Sequence, residues 1–111
     1  MAQYLWQTSL TSQTWEGIMS KDESVIYGEL GATAESFGGS VTQSWVAFGE
    51  NDFIAVVDMP DNESMAAFVL AMTVKGYYSQ GKTTVLLSHE ETDRALDRAG
   101  GISQGADDRR I

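Results

Sequence analysis

The run FIAVVDM, residues 53–59, limits the possible folds of this chain more than any other stretch. Six of its seven residues are apolar and three are β-branched. A short run of this kind is typical of a strand in the middle of a sheet, covered on both faces. The turn-forming residues GEND precede it, and Pro60 and Asp61, which favour a strand end and a helix cap, follow it. We therefore interpret the surrounding acidic residues as turn and cap residues rather than as paired catalytic carboxylates.

Three further segments have the composition of strands. QYLWQTSL (3–10) and SVTQSWVAF (40–48) alternate between two faces, and TTVLLS (83–88) follows the predicted turn GYYSQGK. These segments and the run at 53–59 together predict four strands.

Two segments have apolar residues at helical spacing. The first lies between Thr11 and Gly38, and the polar residues SKDES interrupt it, so one kinked helix or two short helices are both compatible with the pattern. The second is predicted to begin at about Asn62 with Asp61 as its cap. The apolar positions of the first segment are Trp15, Ile18, Met19, Ile26, Leu30, Ala34 and Phe37, and those of the second are Met65, Phe68, Val69, Met72 and Gly76.

The chain ends in a third helical segment. Ser88 and Glu91 have the spacing of a capping box, so we predict a short helix from about His89 to Ala99. Gly100 and Gly101 are expected to end it. The sequence thus predicts one domain over residues 1–99 and a flexible C-terminal tail over residues 100–111.

The element order βαββαβ predicts an α+β fold of the ferredoxin-like type. Its four-stranded antiparallel sheet would carry both main helices on one face. The other face would then need a partner sheet, a ligand or water over its apolar residues, and the large side chains of Trp6 and Trp45 make this need acute. We therefore predict a homodimer or a higher homo-oligomer.

Charge and composition exclude several classes of protein. The chain of 111 residues has a net charge of −9 and no cysteine. An acidic chain lacks the basic face that nucleic acids require, and no apolar stretch is long enough to cross a bilayer. The absence of cysteine and of a basic, signal-like N-terminus favours a soluble protein of the cytoplasm.

The stretch GENDFIAVVDMPDNESMAAFVLAM, residues 49–72, resembles the GYD domain family. It is preceded by GGSVTQSWVAF and followed by Gly76 and the strand TTVLLS. In this resemblance GEND takes the place of the Gly-Tyr-Asp motif, with Asn51 at the position of the tyrosine, and VVDMPD matches the apolar strand and Pro-Asp that follow. The resemblance covers about residues 3–92. It implies a ferredoxin-like domain of the dimeric α+β barrel type, in a family whose biochemical role is largely uncharacterised.

Two residues are candidates for chemistry. His89 could act as a general base or a haem ligand, but its position beside Ser88 favours a helix-start role. Asp58 lies within an apolar run, where burial could make it an acid or base, but Pro60 two residues later favours a place at the strand end, where it would cap the helix turn or meet solvent. One histidine without cysteine does not make a typical transition-metal site, so we expect no metal and no cofactor.

A ligand pocket is the other candidate site. Tyr4, Trp6, Trp45 and Phe53 could line an apolar pocket with Asp58 or His89 at its rim, while core or subunit packing is the alternative. Two functions remain open. The first is a small oligomeric protein that binds an apolar or aromatic ligand or a protein partner. The second is a cofactor-independent monooxygenase-like or isomerase-like enzyme acting on an aromatic substrate.

Overall fold

The structure, a computed structural model, describes residues 1–20 and 27–109. These residues form an α+β fold with one four-stranded sheet, which confirms the ferredoxin-like prediction. The strands are β1 (Ala2–Leu10), β2 (Ser40–Val46), β3 (Phe53–Met59) and β4 (Tyr78–Leu86). The helices are α1 (Ser12–Met19), α2 (Glu29–Ser36), α3 (Asn62–Val74) and α4 (His89–Arg109).

The sheet places the apolar run at its centre. Its strand order is β2-β3-β1-β4, and every neighbouring pair is antiparallel. β3 and β1 are therefore the inner strands, as the composition of residues 53–59 predicts, and β2 and β4 are the edges.

Side chains of the inner strands alternate between a covered face and an open face. The helices pack on the covered face. In β1 the even-numbered residues from Tyr4 to Leu10 are buried, and in β3 the odd-numbered residues from Phe53 to Met59 are buried. The core beneath the helices is completed by Leu30, Ala34, Met65, Phe68, Met72 and Tyr78.

Each edge strand carries an irregularity. In β2, Val41 pairs with Val57 and Gln43 pairs with Val56, so Thr42 is an extra residue. In β4, the pairing moves from Gly81 to Ser79, and Gln80 between them has a positive φ of 36°. Both edges of the sheet are therefore bulged.

The predicted turn before β3 and the predicted helix cap after it are both present in the structure. The carboxylate of Asp61 accepts a hydrogen bond from the backbone N–H of Ser64 at 2.8 Å, so Asp61 caps α3. Hydrogen bonds from Ser64 also lower the pKa of the Asp61 carboxyl group. Before β3, the N–H of Ala47 donates to the carbonyl of Asp52 at 2.7 Å and closes the GEND turn.

Two glycines join α2 to β2. Gly38 has a φ of +86°, which suits the left-handed end of a helix. Gly39 lies so close to β3 that an added Cβ would overlap the carbonyl oxygen of Asp58 and meet the sulfur of Met59 at 2.6 Å. A side chain at position 39 would therefore prevent β2 from approaching β3.

The region between β1 and β2 contains two helical segments, α1 and α2. Ile26 of the predicted stripe and most of SKDES lie outside the described residues, so the choice between one kinked helix and two helices is not decided. Met19 is 79% exposed and does not belong to the buried stripe.

β4 begins five residues before the predicted strand TTVLLS. The interpretation of GYYSQGK as a turn is wrong, because Tyr78 pairs with Leu10 and is buried. The hydroxyl of Thr8 donates to the carbonyls of Ser79 at 2.8 Å and Gln80 at 3.0 Å, which stabilises the bulge. The bulge interrupts the alternation that would otherwise mark a strand.

α4 continues to Arg109, so the prediction that Gly100 and Gly101 end this helix is wrong. The glycines with positive φ in the described chain are Gly38 and Gly76, and the glycines of α4 keep helical backbone. The division into a domain of residues 1–99 and a flexible tail stays a prediction. None of the described helices is long and apolar enough to span a membrane.

Candidate functional site

An apolar groove of about 350 Å³ lies between α3 and the edge strand β4. It opens on the covered face of the sheet, where α3 leaves the outer part of β4 uncovered. Its lining residues are Tyr4, Asn62, Met65, Ala66, Val69, Leu70, Thr83 and Val85.

The groove exists because α3 is apolar on more than its core face. Met65, Phe68 and Met72 are buried, as the predicted stripe requires. Leu70 and Val74 lie outside that stripe and are 66% and 85% exposed. These residues extend the apolar surface of the helix from the core to the solvent.

The edge strand forms the opposite wall. Tyr4 pairs with Val85, so the covered face reaches β4 at this level of the sheet. Val85 is 50% exposed, which shows that no helix of the described chain covers it. The groove is therefore an unfilled part of the layer between helices and sheet.

Of the polar side chains in the lining, which belong to Tyr4, Asn62 and Thr83, the buried one is Tyr4, which presents its hydroxyl. It donates a hydrogen bond to the side-chain oxygen of Asn62 at 2.5 Å. The pKa of Tyr4 is raised, first because the residue is buried and then because the carboxylates of Asp61 and Glu91 lie near it. Tyr4 is therefore a neutral hydroxyl at physiological pH, fixed in direction by its amide partner.

The four aromatic residues predicted to line a pocket lie in three different places. Tyr4 lines the groove, whereas Trp6 and Phe53 are packed inside the core at 1% exposure. The ring of Trp6 contacts that of Phe53 edge-on, with ring centroids 6.1 Å apart, and it also packs on Phe68 and Tyr78. Trp45 is 49% exposed. The set is thus not brought together, and Trp6 does not lie on the face that needs cover.

Trp45 lies on the open face of the sheet, opposite the helices. The register places it beside Ile54, and Val56 is likewise beside Leu5. The residues of the open face are Gln3, Leu5, Gln7, Ser9, Ser40, Gln43, Trp45, Ile54, Val56, Asp58, Ser79, Lys82, Thr84 and Leu86.

Asp58 also lies on the open face, which answers the question of its orientation. It pairs with Gln3 on one side and Ser40 on the other. Its Oδ1 atom is buried and has no hydrogen-bond partner among the described residues. Asp58 is therefore on the opposite side of the sheet from the groove.

His89 is exposed at the first residue of α4. The predicted capping box beside it is confirmed: Ser88 Oγ accepts from the N–H of Glu91 at 3.0 Å, and the Glu91 carboxylate accepts from the N–H of Ser88 at 3.1 Å. The hydrogen bonds from Ser88 lower the pKa of Glu91. His89 is not among the groove residues, and its proposed chemistry stays a prediction.

Within residues 1–20 and 27–102, no three histidine or acidic side chains meet in a group that could hold a metal ion. Charged contacts are few there as well. Lys82 lies 3.6 Å from Glu50 in an exposed ion pair, and Lys75 lies 3.9 Å from Glu29.

The groove was not predicted from the sequence. Tyr4, Met65 and Val69 were candidates for a pocket or a core stripe, but the other lining residues were not singled out. The available signal was the apolar content of α3 beyond its buried face, in particular Leu70 and Val74.

The fold and the groove define an α+β domain of the ferredoxin-like class. Comparison with known families then identifies it more closely. Residues 4–96 match the model of the family described as GYD domain. The match spans most of the chain, so this protein belongs to the GYD domain family, and the sequence resemblance is confirmed. None of the curated proteins compared with the chain matches it.

Several solved structures share the fold. MtbAldR is 20% identical with a TM-score of 0.57, over 79% of this chain and 52% of that chain. FFRP-DM1 is 18% identical with a TM-score of 0.54, over 78% of this chain and 100% of that chain. A transcriptional regulator from Neisseria meningitidis, solved as a complex with L-Met, is 14% identical with a TM-score of 0.54, over 79% and 51%. This chain spans about half the length of MtbAldR and of the Neisseria regulator. At these identities the likeness shows the fold.

Proposed function

We propose that this GYD-domain protein binds a small apolar or aromatic molecule in the groove between α3 and β4. The observation that carries the proposal is the apolar groove of about 350 Å³ with the oriented hydroxyl of Tyr4 at its floor. Small-molecule sites are commonly concave and apolar, with a few fixed polar groups that orient the ligand.

The chemistry of the lining defines the class of ligand. Leu70 and Val85 offer aliphatic walls, and Ala66 leaves room between them for a flat ring. Because the Tyr4 hydroxyl donates to Asn62, its oxygen is free to accept a hydrogen bond from a ligand. The groove therefore suits a neutral aromatic or branched aliphatic molecule with one donor group. The description of the Neisseria regulator as a complex with L-Met agrees with a small ligand for a protein containing this fold.

Ligand binding can be tested by thermal denaturation with a panel of phenols, quinols, aromatic acids and apolar amino acids. Ala66→Trp places an indole in the groove and should weaken binding of any active compound by at least about tenfold. Ala32→Trp is the matched control, because Ala32 is likewise exposed on a helix but lies on α2, away from the groove. Equal affinities for the two variants, or a panel without any stabilising compound, would count against the proposal.

We also propose that the protein self-associates through the open face. This face combines the exposed ring of Trp45 with Leu5, Ile54 and Val56 on adjacent strands. A sheet face with a cluster of apolar side chains that the described residues leave uncovered is the kind of surface that a second copy buries in an isologous contact.

Light scattering tests the self-association directly. Trp45→Glu should yield a monomer at micromolar concentration, because the new carboxylate would lie in the contact. Phe48→Glu should leave the oligomer intact, since Phe48 is 99% exposed but follows the end of β2 and lies outside the open face. A monomeric wild-type protein contradicts this part of the proposal.

A further inference from the structure

Two carboxylates lie beside Tyr4 at the end of the groove where α3 and α4 begin. Asp61 caps α3 next to Asn62, which lines the groove and accepts the hydrogen bond from Tyr4. Glu91 belongs to the first turn of α4 and is partly buried, whereas residues 93–99 of the same helix are exposed. Burial raises the pKa of Tyr4 most, and the charges of Asp61 and Glu91 raise it further. Both carboxylates therefore act on the hydroxyl that the groove presents.

A third carboxylate lies along the α3 wall of the groove. Glu63, Ala66 and Leu70 are spaced i, i+3 and i+7, so they share one side of the helix. Ala66 and Leu70 line the groove, and Glu63 is exposed one turn before Ala66. The apolar wall of α3 thus leads into an acidic rim.

The helix N-termini at this end do not offer a site for an anion. Such ends ordinarily attract negative groups, but here the chain supplies them itself. The carboxylate of Asp61 accepts from the N–H of Ser64, and that of Glu91 accepts from the N–H of Ser88. These hydrogen bonds lower the pKa values of Asp61 and Glu91, so both acids are ionised at neutral pH. An anionic ligand would therefore meet negative charge rather than free N–H groups.

Within the described chain, no basic side chain neutralises this rim through an ion pair. Lys75 and Lys82 form the ion pairs described above, at the far end of α3 and on the open face. Arg94 and the N-terminal ammonium group contribute to the lowered pKa of Glu91, but less than the hydrogen bonds from Ser88 do. The rim therefore keeps a net negative charge.

The hydroxyl of Tyr4 independently indicates a ligand at the same place. Tyr4 is 1% exposed and gives its proton to Asn62, so its oxygen keeps a lone pair to which no described residue donates. The carboxylates around it do not meet in a group that could hold a metal ion, as far as residues 1–20 and 27–102 show. A donor group at the Tyr4 oxygen would instead lie in their combined field, with its apolar part in the groove.

We propose that the groove prefers organic cations, with an ammonium group beside the Tyr4 oxygen and an aromatic or aliphatic body between Leu70 and Val85. The inference rests on the proposed function and adds to it the charge of the donor group. The walls suit the neutral body of the ligand, while the acidic rim selects among its polar groups. Among ligands with one body, an amine should bind more tightly than an alcohol, and a carboxylate should bind most weakly.

Three compounds with the same phenethyl body test this order: phenethylamine, phenethyl alcohol and hydrocinnamate. NMR titration of the isotopically labelled protein gives their dissociation constants and locates them through shifts of the amides of Ala66, Val69 and Val85. The amine should bind about three- to tenfold more tightly than the alcohol at low salt. This advantage should shrink at about 0.5 M NaCl, while the affinity for the alcohol does not fall.

A charge-removing variant tests the source of the preference. Asp61→Asn/Glu91→Gln should reduce the amine's advantage over the alcohol to less than about twofold and leave the alcohol's affinity nearly unchanged. Asparagine and glutamine suit the two capping positions, so both helix starts are preserved. Glu90→Gln/Asp93→Asn is the matched control, because it removes the same charge from exposed positions of α4 and should keep the wild-type preference.

The results separate this inference from the proposed function. If the alcohol binds in the groove and the amine binds no more tightly, the inference fails and the ligand site stands. An equal loss of preference in the two double variants, tighter binding of hydrocinnamate, or amine shifts confined to the open face would also overturn the inference. If none of the three compounds shifts the groove amides, the inference fails and the proposed ligand site loses support as well.

Discussion

The two faces of the sheet use similar residues but end in opposite states. On the covered face, Trp6 and Phe53 are 1% exposed and pack in an aromatic cluster under the helices. On the open face, Trp45 is 49% exposed beside Ile54. The same strands thus supply large apolar side chains to both sides, although helices cover only one of them. The comparison shows that the described residues bury the inner-strand side chains of the covered face and leave Trp45 of the open face in contact with solvent.

The two faces should differ most in how much the free energy of unfolding falls when their tryptophan is replaced by alanine. Trp6→Ala should lower the free energy of unfolding by about 3–5 kcal/mol, because it empties a site enclosed by Phe53, Phe68 and Tyr78. Trp45→Ala should change the stability of the isolated monomer by less than about 1 kcal/mol. Urea denaturation at several protein concentrations measures both. If both variants lose the same free energy of unfolding at low protein concentration, Trp6 and Trp45 do not differ in how far the chain itself buries them.

The next prediction tests whether the close approach of β2 to β3 at Gly39 fixes the register that places each residue of β2 on one face of the sheet. Gly39→Ala should lower stability by about 1–3 kcal/mol, because its Cβ would press on the backbone of Asp58. Gly49→Ala is the control, since an added Cβ there meets nothing within 4 Å. If Gly39→Ala is as stable as Gly49→Ala, the close approach of β2 to β3 does not fix the register.

A third prediction concerns the dependence of stability on pH that two buried tyrosines, Tyr4 and Tyr78, should cause. Burial raises the pKa of Tyr78 and of Tyr4 above the ordinary value of 10.0. In the unfolded chain both ionise near pH 10, while in the folded chain they stay neutral to higher pH. The stability contributed by the neutral forms is therefore complete below pH 10 and declines above it, by up to about 1.4 kcal/mol per pH unit for each group.

Ultraviolet titration combined with denaturation at pH 9 to 11 checks this dependence. Tyr78→Phe should reduce the decline, because it removes one of the two buried phenol groups whose pKa is raised. An unchanged alkaline slope in Tyr78→Phe would contradict the assignment.

The smallest expected effects come from removing the hydroxyls of two buried tyrosines on the covered face, of which Tyr4 has a hydrogen-bond partner and Tyr78 has none among the described residues. Tyr78→Phe should raise stability by about 1 kcal/mol, because the buried hydroxyl of Tyr78 has no partner among the described residues. Tyr4→Phe should lower it by about 0.5–1.5 kcal/mol through loss of the bond to Asn62. Thermal denaturation of the two single variants gives the signs directly, and the same sign in both would refute the distinction.

The parts of the fold that depend on local signals were predictable from the sequence. The central strand FIAVVDM, the cap at Asp61 and the capping box at Ser88 all rest on neighbouring residues, and all are confirmed. The family was also predictable, because its pattern lies within residues 49–72.

The remaining features depend on pairing between distant segments. Alternation assigns Trp6 and Trp45 to a parity within each strand, but only the register and the bulge at Thr42 decide which face each occupies. The bulge at Gln80 concealed the start of β4 for the same reason. The groove depends on where α3 lies over the sheet, so no single segment of sequence could reveal it.

The bulges of the edge strands have a consequence for how copies of this protein can assemble. Thr42 and Gln80 interrupt the rows of backbone donors and acceptors along β2 and β4, which an incoming strand would need for pairing. Growth of the sheet from molecule to molecule, the route to fibrils, is thereby opposed at both edges. The self-association that we propose would instead use the open face, where a two-fold contact between two copies closes on itself.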